Sequence, residues 1–511
     1  DMDKAVMLLK SAIPAGNKIR IIGDYDCDGV CSAYILKSLF DLLGGFSDVR
    51  LPDRVTDGYG MNDAMVEEAF KDDVKLIITC DNGISCVQQT DYAKKLGIKV
   101  IITDHHEISG PIPEADAVID AKQEDCHYPF SELCGAGVTF KLAQAMLEEY
   151  PDKKLKDDFL EQMMIYAGIA TITDIVSLKD ENRLLAREAL SLLPNTENPG
   201  LKALLELKGL YGHPVSSYHI GFIIGPCINS AGRLENAKLA FDLLCCRDDS
   251  SAAFLAEKLS LLNDKRKQLT QQQYAEIEKL MKESGQEQLE KVLVYYLPEA
   301  HESIAGIIAG RLKERYNRPA FIITGSEEGF KGSGRSTDAY NMVREIGRFP
   351  EAFKKFGGHA KACGFTLACS VNDFKQKVLE NCLLSEEDLI KKVWIDMQLP
   401  FEYVTFDLVK ELEKLEPFGV DNDKPLFAER ELKVIRSSVL GKTQNALRLV
   451  LENRNGTRMD AVYFNSPDKI AEISSDISNN INKLVKITYY PVINDWKGNK
   501  SLQIVIQELE F

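Results

Sequence analysis

The sequence predicts a multidomain α/β protein. We expect a parallel-sheet domain, a long helical connector, a second α/β domain and a C-terminal β-barrel, in that order. From residue 18 to residue 120, short apolar runs alternate with helical stretches. From 234 to 284, helix-forming residues with many charged side chains follow one another without proline or glycine. After Pro417, polar and apolar residues alternate in short runs, a pattern typical of β-structure.

The first domain is predicted from four apolar runs, each of which ends in a polar loop that contains aspartate. The runs are residues 19–22, 76–78, 100–102 and 117–119. Short apolar runs separated by helices, such as 30–43 and 63–70, are typical of buried strands in a parallel sheet. Ligands bind outside the carboxyl ends of such strands. We therefore expect the loops GDYDCDG, CDNGIS, TDHHE and DAKQ to meet at one edge of the sheet.

The rest of the chain divides into three further parts. Residues 141–210 are predicted to be mostly helical, and 234–284 to form one or two long helices that end at Gly285. A second α/β unit begins near Val292 with VLVYY and AFIITG, and its KGSGRS and FGGHAKACGF segments are predicted to be glycine-rich turns. The runs VIRSSVL, LRLVLE, MDAVYF, LVKITYY and LQIVIQ predict a barrel of about 90 residues. The predicted domains are 1–233, 234–286, 287–395 and 396–511.

The composition limits the class of protein. The chain has 511 residues, of which 45% are hydrophobic and 27% charged, as in soluble globular proteins. Its apolar runs are too short to cross a membrane, and its 12 scattered cysteines contain no CxxC pair. We therefore expect a cytoplasmic protein with reduced thiols and no membrane contact. The opening DMDKAV lacks an initiator methionine and is typical of the middle of a helix, so we expect a segment upstream of it.

The net charge of −16 does not decide whether the protein binds nucleic acid. Taken alone, this charge argues against a nucleic-acid-binding protein. A strand is held by a local groove, however, and bound cations partly neutralise the carboxylates that hold them. The charge of the whole chain therefore leaves this class of function open.

Acidic residues recur where the predicted strands end. Asp24, Asp26 and Asp28 lie two positions apart in one loop, where their repulsion is unfavourable unless cations offset it. A calcium-type loop or a solvated turn would explain this motif alone. Asp81 and Asp104-His105-His106 follow later predicted strands, and Asp174 lies in TITDIVSL at a helix-rich junction. Because the acidic sites recur at strand ends and include two adjacent histidines, the sequence favours a metal centre.

The residue types indicate which metals to expect. Carboxylate and imidazole ligands without thiolates suit Mn²⁺ or Mg²⁺ better than structural zinc. Five or six ligands exceed the needs of one four-coordinate ion, but they suit two ions about 3.5–4 Å apart that share a carboxylate. Such a pair activates water and stabilises the attacking and leaving oxygens of phosphate hydrolysis. The expected cofactors are two divalent cations, with Mn²⁺ preferred over Mg²⁺.

The four motifs resemble those of the DHH phosphoesterase superfamily. GDYDCDG, CDNGIS, TDHHE and TITDIV occur in that family's order. The resemblance implies that five residues bind the metals and that Asp81 bridges them. These ligands are Asp26, Asp28, Asp81, His105 and Asp174.

The same resemblance implies roles for the neighbouring residues. His106 matches the second histidine, which contacts the scissile phosphate and counts among the catalytic residues. Asp24 would complete the shell of the first metal. Two positions before it, where some relatives have a histidine, this chain has Ile22. Asp104 is expected to orient the side chain of His105 without binding the metal itself.

The resemblance narrows to the RecJ family beyond the first domain. FGGHAKACGF resembles the glycine-histidine signature of the DHH-associated domain, while INSAGRL and GSGRS resemble the RecJ segments that hold a strand's 5′ phosphate. The substrate-binding residues implied are His106, Asn229, Arg233, Ser333, Arg335, Gly357, Gly358 and His359. The barrel is similar to the RecJ OB domain, in which aromatic side chains stack on bases. The aromatic candidates here are Tyr463, Phe464 and Trp496.

The RecJ resemblance implies a function and a set of partners. It implies a single-stranded-DNA-specific exonuclease that works from 5′ to 3′, releases 5′-mononucleotides and serves DNA repair and recombination. Two α/β domains that face each other across a narrow groove would admit single strands and exclude duplex. A single-strand binding protein and a helicase are the expected protein partners, and we expect a monomer.

Two alternatives remain open from the sequence. An enzyme on the same framework could cleave short oligoribonucleotides, cyclic dinucleotides or phosphoadenosine phosphate, although such relatives usually end after the glycine-histidine domain. A non-catalytic scaffold could retain the fold, although such relatives typically lose metal ligands, and the acidic set here is intact.

Overall fold

The computed structural model of this chain describes residues 1–283, 289–326, 329–479, 484–496 and 498–511. The chain forms two compact units, Asp1–Lys391 and Lys392–Phe511. The predicted helix end at Gly285 and the predicted boundary between 286 and 287 lie outside the described residues. Within the described ranges, no helix is both long enough and apolar enough to cross a membrane.

The first unit begins with a parallel five-stranded sheet. Its strands are β1 (Ile19–Ile22), β2 (Ser47–Arg50), β3 (Leu76–Cys80), β4 (Lys99–Thr103) and β5 (Ala117–Ile119). Their order is β2-β1-β3-β4-β5, and every pairing is parallel. The predicted parallel sheet is therefore confirmed. The additional strand β2 has the polar sequence SDVR and lies half-exposed at the sheet edge, so it has no apolar run to reveal it.

Helices cover the first sheet and extend beyond it. They are α1 (Met2–Ala12), α2 (Cys27–Leu42), α3 (Asp63–Lys71), α4 (Val87–Lys95), α5 (Gly135–Met146), α6 (Lys153–Thr173), α7 (Asp180–Leu192) and α8 (Pro199–Leu207). Two hydrophobic clusters pack on the sheet. Ile19 and Ile21 belong to the larger cluster, and Ile22 belongs to the smaller one with Met61 and Met65. Burial of both sheet faces explains why the strands other than β2 are mostly apolar.

A long helical region follows. It comprises α9 (Ser217–His219), a π-helical turn (Ile220–Ile224), α10 (Gly225–Leu234), α11 (Lys238–Cys245) and α12 (Asp249–Glu283). The first three run on without a break. α12 has 35 residues and is therefore about 50 Å long at 1.5 Å per residue. The predicted connector of one or two long helices corresponds to the short α11 and the long α12.

The second α/β domain contains a mixed sheet in the order β6-β7-β8-β10-β9. Its strands are β6 (Leu293–Leu297), β7 (Ala320–Ser326), β8 (Gly329–Arg335), β9 (Phe353–Gly358) and β10 (Ala362–Leu367). Its helices are α13 (Glu302–Tyr316), α14 (Met342–Ile346) and α15 (Val371–Glu380). β6 and β7 pair in parallel, whereas the remaining pairings are antiparallel.

The prediction that KGSGRS and FGGHAKACGF are turns was wrong for most of their residues. KGSGR forms the end of β8, and the second segment supplies the end of β9 and the start of β10, with the turn between Gly358 and Ala362. The glycines serve packing here, because a Cβ on Gly332 would overlap the ring of Phe365 and one on Gly334 would lie 2.9 Å from the ring of Phe321. Glycine in a strand permits this close approach of an aromatic ring.

The second unit is a β-structure with its own core. Its strands are β11 (Met397–Gln398), β12 (Phe427–Leu440), β13 (Ala446–Glu452), β14 (Arg458–Phe464), β15 (Leu484–Trp496) and β16 (Asn499–Glu510), and its helices are α16 (Phe406–Glu413) and α17 (Pro467–Asn479). β12 pairs with both β13 and β15, which closes the sheet into the predicted barrel. Of the aromatic candidates, Tyr463 is buried in this core and Phe464 is exposed. The side chain of Trp496 lies outside the described residues.

Candidate metal centre

The predicted ligands converge at the carboxyl edge of the first sheet. Potential ligand atoms lie within 4.8 Å of one another in three overlapping groups: Asp24, Asp26 and Asp81; Asp28, His105 and Asp174; and Asp81, His105 and His106. Asp81 and His105 each belong to two groups. The Nε2 atom of His105 lies 3.0 Å from Asp81 Oδ1, 3.6 Å from Asp28 Oδ2 and 3.7 Å from Asp174 Oδ2. Ligands that are far apart in the sequence, from Asp24 to Asp174, thus form one cluster.

The first motif is held in place by two helix N-termini. Asp26 is the N-cap of α2, and its Oδ1 accepts hydrogen bonds from the backbone N–H groups of Asp28 and Gly29 at 3.0 and 3.1 Å. The carboxylate of Asp28 accepts the N–H groups of Gly135 and Ala136, both at 2.7 Å, at the start of α5. Asp26 thus accepts backbone N–H groups through one oxygen and Asp28 through both, and these contacts fix the orientation of each carboxylate.

Asp81 lies in a backbone conformation that is unusual for its residue type. Its φ is 61°, in the left-handed region, directly after β3. Its N–H donates to the carbonyl of Thr103 at the end of β4, at 3.1 Å. A left-handed aspartate is more tolerable than most residues, yet it still costs on the order of 1 kcal/mol. The sheet edge holds this conformation and directs the carboxylate between the two neighbouring ligand groups.

The charges of the site favour bound cations. Burial, reinforced by the neighbouring carboxylates, raises the pKa values of Asp24, Asp81 and Asp174 well above their usual range. The same causes raise the pKa of Asp28 to about 6. Asp24 Oδ1 is buried and has no hydrogen-bond partner among the described residues. Packed carboxylates with an unsatisfied oxygen and no thiolate nearby are the donor set that Mn²⁺ or Mg²⁺ would fit.

Asp104 contacts the second histidine through its side chain, and this corrects the expectation that it orients the ring of His105. Its Oδ1 lies 2.7 Å from His106 Nδ1, and it accepts the N–H of His105 at 2.7 Å. Its Oδ2 accepts the N–H of Ile84 at 2.9 Å. The ring of His105 instead faces the carboxylates of Asp81 and Asp28.

The two histidines differ in charge. Burial, together with the charge of His106, lowers the pKa of His105 to about 3, so His105 is neutral and can act as a ligand. Burial also tends to lower the pKa of His106, but the hydrogen bond and charge of Asp104 outweigh it and raise the pKa to about 9. His106 is therefore a cation at neutral pH, as a group that contacts an anion would need to be.

Replacing Asp104 by asparagine should lower the pKa of His106. The variant removes the negative charge that offsets burial, so we expect a fall of about 1–3 pH units. An NMR titration of the His106 ring in the presence of a chelator measures it. If the pKa stays near 9, the charge of Asp104 does not control His106.

A second polar cluster surrounds Arg233. Its Nη1 donates to the carbonyl of Ser303 at 2.8 Å, and the hydroxyl of Ser303 donates back to the carbonyl of Arg233 at 2.8 Å. Arg335 Nη1 donates to Ser333 Oγ at 3.3 Å. A Cβ on Gly306 would lie 2.7 Å from Arg335 Nη2 and 3.0 Å from Ser333 Oγ, so both side chains lie against α13 near its N-terminus.

The electrostatics of this cluster suit an anion. Burial lowers the pKa of Arg233 to about 9, and the charges of Arg54, Arg266 and Arg335 contribute to the shift. Burial likewise lowers the pKa of Arg335. Recessed guanidinium groups that repel one another beside a helix N-terminus are favourable for a bound phosphate.

Not every predicted substrate-binding residue lies free to bind substrate. Asn229 Oδ1 accepts the N–H of Cys27 at 2.8 Å, so its contact steadies the first motif. In the glycine-histidine signature, Gly358 has a φ of 139°, Gly357 lies at the end of β9, and both lead into the turn that carries His359. Partial burial and then the charge of His106 lower the pKa of His359, which places this turn within electrostatic reach of the metal cluster.

Two residues beside the site, Tyr59 and Arg54, were not among the sequence candidates, and a third, Asp120, was expected only as part of the DAKQ loop. The hydroxyl of Tyr59 lies 3.1 Å from the Asp81 carbonyl oxygen and 3.1 Å from His106 Nδ1. Arg54 stacks over the ring of Tyr25, with 4.8 Å between its Cζ and the ring centroid. Asp120, from the DAKQ loop, has a buried Oδ2 without a partner among the described residues, and burial raises its pKa to about 7. Apart from the DAKQ loop, the glycine-rich segment DGYG around Tyr59 is the sequence feature that points to these contacts.

Known protein families match three parts of the chain. The DHH family, N-terminal domain, matches residues 18–169; the DHHA1 domain matches 289–383; and the RecJ OB domain matches 395–508. These ranges correspond to the first sheet with its helices, the mixed sheet and the barrel.

Curated relatives and a solved structure match nearly the whole chain. The single-stranded-DNA-specific exonuclease RecJ of Salmonella typhimurium is 32% identical over 99% of this chain and 90% of its own length. The RecJ of Bacillus subtilis is 34% identical over 99% of this chain, which spans 63% of that relative. A crystal structure of RecJ in complex with Mn²⁺ from Thermus thermophilus has a TM-score of 0.84 at 26% identity, covering 100% of this chain and 71% of that one. The chain therefore belongs to the RecJ family within the DHH superfamily.

Proposed function

We propose that this protein is a metal-dependent exonuclease that shortens single-stranded DNA from its 5′ end and releases 5′-mononucleotides. The observation that carries the proposal is the pairing of a carboxylate-histidine cluster with a recessed arginine cluster in one unit. The first suits phosphodiester hydrolysis, and the second suits a terminal phosphate. Relatives named single-stranded-DNA-specific exonucleases support the substrate class.

Two divalent cations fit the cluster, with Asp81 as the shared ligand. Asp24 and Asp26 would hold the first with Asp81, and Asp28, His105 and Asp174 would hold the second. Asp24 thus takes the place of the histidine that Ile22 does not supply, since Ile22 is buried in the core. When bound, such cations activate water and stabilise the charge that develops on the attacking and leaving oxygens. Crystal structures of Thermus thermophilus RecJ with Mn²⁺ and with Mg²⁺ support this class of cofactor, and we propose Mn²⁺ as the preferred one.

The chain's own residues position the substrate. His106, charged and held by Asp104, donates a hydrogen bond to a non-bridging oxygen of the scissile phosphate. The hydroxyl of Tyr59 lies 3.1 Å from the same nitrogen, Nδ1, and 3.2 Å from Nε2, and it helps to fix the ring of His106. His359, whose pKa responds to His106, lies on the opposite α/β domain and contacts the same strand with Gly357 and Gly358.

The direction of cleavage follows from the arginine cluster. Arg233, Ser333 and Arg335, with Arg54 nearby, bind the 5′ phosphate, and this places the next phosphodiester at the metals. A 3′ end carries no terminal phosphate and would leave the recessed guanidinium groups unpaired, which is unfavourable. Asn229 contributes indirectly by holding the first motif.

The wider role is proposed from the family. The OB barrel binds the strand by stacking and charge, and exposed Phe464 is its best-placed stacking candidate. We propose a cytoplasmic monomer that acts in DNA repair and recombination beside a single-strand binding protein and a helicase. The domain limits proposed are residues 1–233, 234–286, 287–395 and 396–511.

End-labelled DNA tests the proposed function. With Mn²⁺, a 5′ label on single-stranded DNA should be released at once as mononucleotide, while a 3′-labelled strand should shorten step by step and a blunt duplex should survive. If the enzyme consumes a dinucleotide and leaves the long strand intact, it acts on small substrates and the proposal is wrong.

Arg335→Ala should weaken the preference for a 5′-phosphorylated end. The substitution removes a charge-assisted contact worth about 1.5–3 kcal/mol, so kcat/KM on a phosphorylated strand should fall by about 10- to 100-fold. On a strand with a 5′ hydroxyl, the loss should be small. Equal losses on the two strands would show that Arg335 does not bind the terminal phosphate. Lys354→Ala, which changes an exposed cation on the edge strand β9 of the same sheet, is the matched control.

A further inference from the structure

An exposed pair of aromatic rings lies on the helical segment that leads to Arg233. The rings of Tyr218 and Phe222 stack, with 5.0 Å between centroids and 24° between planes. Their exposed fractions are 60% and 68%, which is high for rings that pack on each other. Ser216 caps this segment in a capping box with His219, whose ring meets Tyr218 edge-on. The pair is therefore held in place although it faces solvent.

The segment that carries the pair packs on the last turn of α6, which ends at a metal ligand. A Cβ on Gly225 would overlap the side chain of Thr173, and one on Gly221 would lie 3.9 Å from Ile172. Asp174 follows directly as the C-cap of α6. Residues 220–224 form a π-helical turn, a rare structure that occurs mostly at functional sites. The pair thus lies on the segment that crosses the end of α6 beside the metal cluster.

Ile175 adds an exposed apolar side chain at the same place. It follows Asp174, is 70% exposed and has a φ of 61°. A left-handed conformation is strained for a β-branched residue, and such strain is found mainly at functional sites. Ile175 is not buried, and glycine would adopt this backbone conformation without strain, so packing does not explain why isoleucine occupies the position. The surroundings of Asp174 therefore present apolar surface to whatever approaches the metals.

We infer that Tyr218 and Phe222 form a stacking platform for the bases of the strand on the 3′ side of the scissile phosphodiester. This inference rests on the proposed function. Bases offer flat apolar faces of any sequence, and stacking on an exposed aromatic ring holds them without selecting among them. Arg233 and the aromatic pair lie on one continuous helical segment. A DNA strand whose 5′ phosphate is bound at Arg233 and whose next phosphodiester is at the metals therefore runs along this segment toward the pair.

The length of the segment predicts which bases reach the platform. Phe222 lies 11 positions before Arg233, a distance of about 16 Å along a helix at 1.5 Å per residue. Stacked nucleotides rise about 3.4 Å each, so the platform lies about five nucleotides from the 5′ end, or fewer if the strand is extended. A dinucleotide is too short to reach it.

Steady-state kinetics on two substrate lengths test the inference. For Phe222→Ala, KM on a 5′-phosphorylated single strand of twelve nucleotides should rise about tenfold with little change in kcat, because one base-stacking contact is lost. KM on a 5′-phosphorylated dinucleotide should not change. Phe46→Ala is the matched control, since Phe46 is 61% exposed and precedes β2 at the opposite end of the parallel strands.

Conservative variants separate stacking from simple apolar contact. Phe222→Tyr should bind the strand as the unaltered protein does, whereas Phe222→Leu should resemble Phe222→Ala. In the presence of a chelator, a 2-aminopurine at about the third to fifth position should lose fluorescence on binding, and Phe222→Ala should restore it. If Phe222→Leu binds normally, or if the dinucleotide suffers the same loss as the long strand, there is no base platform. If the unaltered protein does not shorten the long strand at all, the proposed function fails instead.

Discussion

Asp81→Ala should abolish hydrolysis while the protein remains folded. Asp81 belongs to two of the three ligand groups, and its Oδ1 lies 3.0 Å from His105. Removing the shared carboxylate separates the two metal sites and withdraws several kcal/mol of charge stabilisation. A loss of about 4 kcal/mol corresponds to a fall of about 10³-fold in kcat on single-stranded DNA with Mn²⁺. Rate measurements under single-turnover conditions give this number directly.

The fold should survive because the charged carboxylate of Asp81, without a bound metal, does not stabilise the folded protein. Burial and the neighbouring aspartates raise the pKa of Asp81, which means that its charged form is destabilised where it lies. Thermal unfolding in a chelator should therefore occur at the same or a slightly higher temperature in the variant. Stabilisation by added Mn²⁺ should be reduced. Asp91→Ala, which changes an exposed aspartate on α4, should alter neither property. Full activity of Asp81→Ala would refute the two-metal assignment.

The parallel sheet could be predicted because its physical signal is local. Two of the four runs, 19–22 and 117–119, match β1 and β5 residue for residue, since strands buried on both faces are mostly apolar. β2 was missed because its stabilisation is not local. Arg20 on β1 pairs with Asp48 on β2 at 2.8 Å, and this contact exists only after the two strands meet.

The mixed sheet was harder to predict because glycine has two uses. In KGSGRS it was taken as a signal for a turn, which is its commonest meaning in a sequence. In the structure, Gly332 and Gly334 make room for the rings of Phe365 and Phe321. Phe365 lies 33 positions from Gly332 and Phe321 lies 13 positions from Gly334, so no local pattern could have shown that glycine is needed there.

The same distinction holds at the site. The acidic ligands of the first three motifs were predictable because each follows a strand whose end could be located, whereas Asp174 follows the helix α6 and was identified by the TITDIV motif. The partner of Asp104 was not, since both His105 and His106 lie within reach along the chain and only the folded loop decides between them. Arg54 and Tyr59 come from a loop whose course is set by contacts with Asn82. Asn82 Oδ1 accepts the N–H of Met61 at 3.2 Å.

Gly232→Ala should disrupt the metal centre although Gly232 is not itself a metal ligand. Gly232 lies on α10 next to Arg233, and a Cβ there would overlap the carbonyl oxygen of Tyr25, between Asp24 and Asp26. Backbone cannot rotate away as a side chain can, so the helix or the first motif must move. Overpacking of this kind costs about 1–3 kcal/mol of unfolding free energy. A shift of about 1 Å at the ligands should reduce kcat by about 10²-fold.

The matched control is Gly221→Ala on the same helical segment. A Cβ on Gly221 would lie 3.9 Å from the side chain of Ile172, which is an ordinary van der Waals contact, and the residue has no positive φ. Alanine there should leave unfolding and activity nearly unchanged, because it meets no backbone. Chemical denaturation and hydrolysis of single-stranded DNA, measured on both variants, separate the two cases. If Gly232→Ala is as active as Gly221→Ala, the contact between α10 and the first motif does not hold the ligands in place. If only Gly232→Ala loses activity, that contact joins the phosphate-binding arginine to the metal-binding loop.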